Sequence, residues 1–174
     1  TRKPASLNEI YERVIFEGLT LPLEDHGKGY LYLDNYDSIE EKLEWADSVV
    51  LGSGVGRDIS TQNLIKKLVR IIEKPLVLDA DGWDHVKAKL GILAQLEEAF
   101  YLRPHDGEAS GLFGVEQKEV VDDPFKFATE AVGRSGGVLV LKGAPTLTAF
   151  GNEVIANTSG HQGLATGGTG DVLA

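Results

Sequence analysis

The residues best equipped for chemistry stand near the end of the chain, in Ala165-Thr166-Gly167-Gly168-Thr169-Gly170-Asp171-Val172-Leu173. Gly167, Gly168, Thr169 and Gly170 allow successive backbone N–H groups to converge on an anion. The apolar run after Asp171 could open a helix, whose N-terminus adds partial positive charge. That is a cradle suited to a phosphoryl group. The same residues also admit a plainer reading, a glycine-rich turn with Asp171 as the N-cap of the following helix.

Four other segments bring functional groups to the ends of apolar runs. Lys142-Gly143-Ala144-Pro145-Thr146 offers one compact positive charge for phosphate, and its Gly143-Ala144 turn permits close backbone approach. The alternative is a hairpin turn whose Lys is merely solvated. His105, after Pro104, falls where a strand ends and a ligand could be met, although a lone His is commonly structural or exposed. Asp79 and Asp81 form a pair of carboxylates that could order Mg²⁺ through water, orient a substrate, or cap the next helix. Gly52-Ser53-Gly54-Val55-Gly56-Arg57 imitates a dinucleotide fingerprint, but Gly56-Arg57-Asp58-Ile59 lacks the third glycine.

These groups need a scaffold. Apolar or β-branched runs at Gly29–Leu33, Ser48–Leu51, Pro75–Leu78, Ala99–Leu102, Val138–Leu141 and Pro145–Phe150 read as strands. Ser38–Ala46, Ser60–Glu73, His85–Leu96 and Pro124–Gly133 read as helices, with Leu64, Leu68, Val69 and Ile72 at helical spacing. Such alternation predicts a mostly parallel sheet with helices on both faces, and Lys142–Pro145 predicts an antiparallel hairpin at its edge. Ligands of open α/β sheets bind beyond the strand ends, where the glycines concentrate.

Composition narrows the partners. The 174 residues, 42% hydrophobic, suffice for one domain with a sizeable core. With 17 Lys and Arg against 27 Asp and Glu, the net charge is −10, which argues against unassisted binding to nucleic acid or an anionic membrane. No apolar run approaches the roughly 20 residues that span a bilayer, and no signal-peptide pattern opens the chain, so the cytoplasm is expected. Cys is absent, which excludes disulfides, a thiolate nucleophile and Cys-ligated metal. Met is absent too, and from this the chain is expected to be a trimmed part of a longer product.

Gly52–Arg57, Leu78–Gly82, Arg103–Glu108, Lys142–Thr146 and Gly167–Asp171 stand in the order seen in ADP/ATP-dependent NAD(P)H-hydrate dehydratases, which the chain resembles from about Trp45 to Ala174. The resemblance implies a ribokinase-like three-layer α/β sandwich and repair of hydrated NADH or NADPH at the expense of ADP or ATP, with Mg²⁺ on the phosphates. It implies Asp171 as the catalytic base, with Gly167, Gly168, Thr169 and Gly170 as the anion hole. By the same resemblance Lys142, Gly143, Ala144, Pro145 and Thr146 hold the nucleotide, while Gly54, Gly56, Asp81, His105 and Asp171 meet the substrate. A carboxylate is ionised at neutral pH and can accept a proton, which fits phosphoryl transfer. Arg103 stands where the family usually has an uncharged residue, and its role is open. His161-Gln162-Gly163-Leu164 replaces the family's usual Asn-Pro-Gly-Met, which puts nucleotide choice in question.

Two rival readings share these motifs: a ribokinase-like kinase that leaves a stable phosphate ester, and a non-catalytic nucleotide-binding fragment. The choice of ADP or ATP, a homo-oligomer, and an epimerase fused upstream or acting as a partner are all left open by the resemblance. Residues 1–174 are expected to form one incomplete domain lacking parts at both ends, with apolar surface exposed at Val172, Leu173 and the sheet edge.

Overall fold

A computed structural model describes residues 2–86, 90–93, 96 and 99–173, the side chains of Arg2, Asp84, Ile92 and Asp171 excepted. Two short parallel strands, β1 (Arg2–Pro4) and β2 (Leu21–Leu23), flank α1 (Asn8–Val14). After α2 (Tyr36–Leu43), the main sheet begins with β3 (Val49–Leu51), α3 (Ile59–Val69), β4 (Leu76–Leu78) and two short helices, α4 (Gly82–Val86) and α5 (Leu90–Leu93). It continues through β5 (Phe100–Leu102), α6 (Asp106–Phe113), α7 (Gln117–Asp122), α8 (Pro124–Ser135), β6 (Val138–Leu141), β7 (Thr146–Phe150) and β8 (Glu153–Asn157), and α9 (Thr169–Leu173) follows.

The six strands lie in the order β3-β4-β5-β6-β7-β8. The first four run parallel, and β7 and β8 return antiparallel, so the predicted edge hairpin is present with a further strand beyond it. Alternation along the strands decides the layers. Leu76, Leu78, Phe100, Leu102, Leu139, Leu141, Leu147 and Ala149 are buried, and their neighbours Val77, Tyr101, Val140 and Thr148 are less so. The sealed side packs in one core cluster with Leu64, Ile65, Leu68 and Val69 of α3 and Phe127, Ala128, Ala131 and Val132 of α8. On the other side Leu173 of α9 lies beside Val77, Tyr101 and Val140. Val172 is 89% exposed and Leu173 58% exposed.

Helix ends follow local chemistry. Asp58 caps α3 by accepting from Ser60 N at 2.8 Å, and Asp123 caps α8 with Pro124 in its first turn. Gly114 and Gly136 end α6 and α8 in the left-handed conformation. Gly29–Leu33, expected as a strand, is instead a turn leading into a 3₁₀ turn at Leu33–Asn35. Its backbone is satisfied by side chains of the α3 segment: Thr61 Oγ1 donates to the Leu31 carbonyl at 2.8 Å and Leu33 N donates to Ser60 Oγ at 3.1 Å. Of the expected His85–Leu96 helix, residues 87–89 and 94–95 lie outside the described residues, and Leu96 is not helical.

Candidate functional site

Four strand ends meet at one rim of the sheet, and each carries a segment singled out above. β3 runs into the loop of Gly52, Gly54 and Gly56, all with positive φ. At Gly52 a Cβ atom would lie 1.8 Å from the carbonyl oxygen of Asp79, so only glycine lets the two turns touch. β4 runs into Asp79, and the chain turns through Ala80 to Asp81, whose Oδ2 accepts from Gly56 N at 3.3 Å. Arg57 Nε stands 3.6 Å from Asp81 Oδ1, and His85 Nε2 is 3.0 Å from the Gly56 carbonyl. The first glycine loop is thus tied to the Asp81 turn.

β5 ends at Arg103-Pro104-His105. Pro104 has no N–H, but its carbonyl accepts from Lys142 N at 2.8 Å, and His105 pairs with Lys142 as an isolated parallel bridge. His105 caps α6: its Nδ1 accepts from Gly107 N at 3.1 Å and Glu108 N at 3.3 Å, while Glu108 Oε2 accepts from His105 N at 2.8 Å. This reciprocal box leaves the imidazole proton on Nε2, which lies 3.7 Å from Glu108 Oε1. The 3.5 Å approach of Asp106 Oδ1 to Nδ1 is therefore a neighbour contact, because that nitrogen is already accepting. The Asp106 carboxyl is held below the usual carboxylate range, first by a hydrogen bond from Gln117.

Behind this rim lies a buried charge cluster. Arg103 Nη1 donates to Asp79 Oδ2 at 3.2 Å, and both side chains are 4% exposed. Lys142 Nζ lies 3.5 Å from Asp79 Oδ1 and 3.3 Å from Glu108 Oε2. Two cations thus face two carboxylates. Asp79 is therefore taken up by an ion-paired network. Its side-chain hydrogen bonds go to Arg103 and Lys142 rather than to the N-terminus of the next helix. Among the described residues, no group of three or more His, Cys, Asp or Glu could hold a metal.

A hydrogen bond joins the glycine-rich loop to this cluster: Arg103 Nη2 donates to the carbonyl oxygen of Gly170 at 2.6 Å. Gly168 takes a positive φ of 86°, and Thr169 and Gly170 begin α9. The Asp171 backbone is helical; its side chain lies outside those described. The turn of Gly143, Ala144, Pro145 and Thr146 joins β6 to β7, with Thr146 Oγ1 donating to the Gly143 carbonyl at 3.1 Å. His161 is exposed and caps a 3₁₀ turn at Gln162–Leu164, with its Nδ1 accepting from Gly163 N.

Beside the cluster is an open cavity of about 370 Å³, lined by Arg57, Asp81, Trp83, His105 and Glu108 among others. That volume is in the range of small-molecule sites. The structure therefore gathers Asp81, His105, Lys142 and the Gly170 end of the loop on one rim, with Gly56 beside Asp81. Glu108 and Trp83 were missed as site residues at the sequence level. Glu108 carries a signal in hindsight, because an acid three residues after His105 is the capping-box spacing that also brings its carboxylate to Lys142.

Residues 3–174 match the family model described as NAD(P)H-hydrate dehydratase. The chain is 32% identical over 171 residues to the bifunctional NAD(P)H-hydrate repair enzyme Nnr of Moorella thermoacetica, a stretch covering 98% of this chain and 32% of that protein. It is 40% identical over 134 residues to the Nnr of Vibrio cholerae, covering 77% of this chain and 26% of the relative. An ADP/ATP-dependent NAD(P)H-hydrate dehydratase from Bacillus subtilis, co-crystallised with ATP/Mg²⁺, superposes with a TM-score of 0.69 at 26% identity, over 98% of this chain and 56% of that one. A ribokinase-like superfamily protein from Enterococcus faecalis shares the fold, with a TM-score of 0.73 at 22% identity, over 95% of this chain and 54% of that one. The chain spans a third or less of the length of these two curated relatives.

Proposed function

Because the chain belongs to the NAD(P)H-hydrate dehydratase family, we propose that the protein carrying it returns hydrated NADH or NADPH to the reduced dinucleotide, using ADP or ATP. In this reading the 6-hydroxyl of the hydrated nicotinamide gives its proton to Asp171 and its oxygen bonds to the terminal phosphorus of the nucleotide. The bond from that phosphorus to the nucleotide breaks. Loss of the new phosphate ester together with a ring proton then restores the ring double bond.

The placement of these residues supports the roles this reading gives them. N–H groups of Gly167, Gly168, Thr169 and Gly170 face the phosphoryl group, where charge accumulates and preorganised donors act most strongly. Lys142, with the Gly143–Thr146 turn, meets the nucleotide phosphates; Asp81, His105, Gly54 and Gly56 meet the dinucleotide. Asp81 would help to hold Mg²⁺, which would neutralise charge on the phosphates, and it suits this better than Asp79, whose two oxygens already face Arg103 and Lys142. The observation that carries the reading is the 2.6 Å bond from Arg103 to Gly170, which sets the glycine-rich loop beside the strand ends that line the cavity.

Action in the cytoplasm, on a small molecule and without nucleic acid or membrane, belongs to the same proposal. Among the described residues, no helix is long and apolar enough to cross a membrane. The Nnr relatives are bifunctional by name, and we propose an epimerase as the companion activity, fused or as a partner.

The test is recovery of NADH absorbance from hydrated NADH by the full-length protein with ADP or ATP. Asp171→Asn should keep nucleotide affinity and lower turnover by about two orders of magnitude. A stable phosphate ester in place of NADH would favour the kinase reading, and near-normal turnover of Asp171→Asn would remove that carboxylate from the mechanism.

A further inference from the structure

Arg103 is a cation with almost no contact with water, so each of its polar atoms needs a reason to be where it is. A planar guanidinium presents five donors in a fixed fork and meets a carboxylate best with two parallel bonds. Arg103 does not do so. It places Nη1 on Asp79 at 3.2 Å and turns Nη2 to the Gly170 carbonyl at 2.6 Å, while its buried Nε meets no hydrogen-bond partner among the described residues. Neutralising Asp79 does not require this pose, because Lys142 stands 3.5 Å from the other carboxylate oxygen. What this pose secures is a grip on a backbone oxygen 67 residues away in sequence.

The gripped oxygen belongs to the peptide that joins Gly170 to Asp171. That unit is planar, with its N–H directed opposite its C=O, so fixing the oxygen fixes the direction of the Asp171 N–H and the path of the chain entering α9. We propose that Arg103 is a positioning residue: anchored on Asp79, it sets the Gly170–Asp171 peptide, and with it the glycine-rich loop, for phosphoryl transfer. This rests on the dehydratase reading above. Arg103 touches no reacting atom; it acts through the loop. Positioning of this kind matters because a displacement of about 1 Å can cost about a hundredfold in rate.

The test uses the full-length protein with Arg103→Lys and Arg103→Met. Lys keeps a counter-ion for Asp79 but cannot fork to the carbonyl; Met keeps the length and loses all donors. Amide hydrogen exchange over residues 166–173, measured without ligands, is the first readout, with α8 as the internal reference. Both variants should speed exchange in 166–173 by about tenfold or more and leave α8 unchanged. For hydrated NADH, kcat should fall by about a hundredfold while KM moves less than about threefold. Unchanged exchange in 166–173, or equal acceleration in α8, would overturn the proposal, and if Met does not fold, Lys alone decides. Exchange needs no substrate, so a loop loosened in both variants of a protein that never repairs hydrated NADH would sink the dehydratase reading and spare Arg103. Repair by the wild-type protein with loop exchange unmoved in the variants would do the reverse.

Discussion

Two buried aspartates organise two regions by opposite means. Asp25, 1% exposed, sits in the segment around β1 and β2, and its partners there are neutral: the Ser6 hydroxyl and the amides of Ser6, Gly27 and Gly29. These donors hold its carboxyl below the ordinary value, with the Ser6 hydroxyl contributing most and burial opposing. Asp79, 3% exposed, is met by two full charges from the residues just after β5 and β6. A carboxylate wrapped in local amides closes a turn and has nothing to spare. One held between Arg103 and Lys142 leaves positive groups that also touch Glu108 and the glycine-rich loop, and those can answer a ligand. The contrast separates the two hubs by the kind of donor around each, although both aspartates are buried.

Asp79→Asn should break the comparison hardest. It strands a buried guanidinium, and losing one partner of such a pair costs about 3–5 kcal/mol. Chemical denaturation of the variant would measure this, and a loss below about 1 kcal/mol would show that Arg103 is compensated elsewhere. Lys142→Ala should leave folding nearly intact, since Arg103 still answers Asp79, and should weaken ADP or ATP binding by about 1–3 kcal/mol in calorimetry. Unchanged nucleotide affinity would return Lys142 to a purely structural place.

Asp25→Asn should have the smallest effect, because the amide oxygen still accepts two of the four donated bonds and no full charge is left without a partner. Its pH dependence sharpens the contrast. The folded pKa of Asp25 lies below its ordinary value of 3.8, so its stabilisation is present above that value and is lost as pH falls through the folded pKa. The melting temperatures of wild type and Asp25→Asn should therefore differ at pH 7 and converge below about pH 4. A constant gap across that range would show that the carboxylate charge is not what holds the turn.

The parts of the fold legible in the sequence were those with a local signal. Val138–Leu141 and the runs ending at Leu51, Leu78 and Leu102 became strands because apolar β-branched residues between turn formers leave little else to form. Gly29–Leu33 looked alike, but only Leu31 enters the core while the rings of Tyr30 and Tyr32 stack at 4.8 Å, and side chains from α3 take up its backbone. β8 was missed although Val154-Ile155-Ala156 is an apolar run, because that run is only three residues long and follows the Gly151-Asn152 turn. In the site, the glycine loops and His105 were visible as composition at strand ends. The bonds of Arg103 were not, since its partners lie 24 and 67 residues away and only the folded sheet unites them.

Gly52 decides where this site can change and where it cannot. Its missing Cβ would overlap the Asp79 carbonyl, and that oxygen is part of a backbone turn with no side chain to swing aside. Every other amino acid is closed to position 52, so the spacing between the first glycine loop and the Asp79 turn cannot be adjusted by mutation there. At Gly54 and Gly56 a Cβ would meet no atom within 4 Å, and resistance comes only from their left-handed backbones. Side chains have room to appear at those two positions, while the Asp79 turn stays where Gly52 has put it.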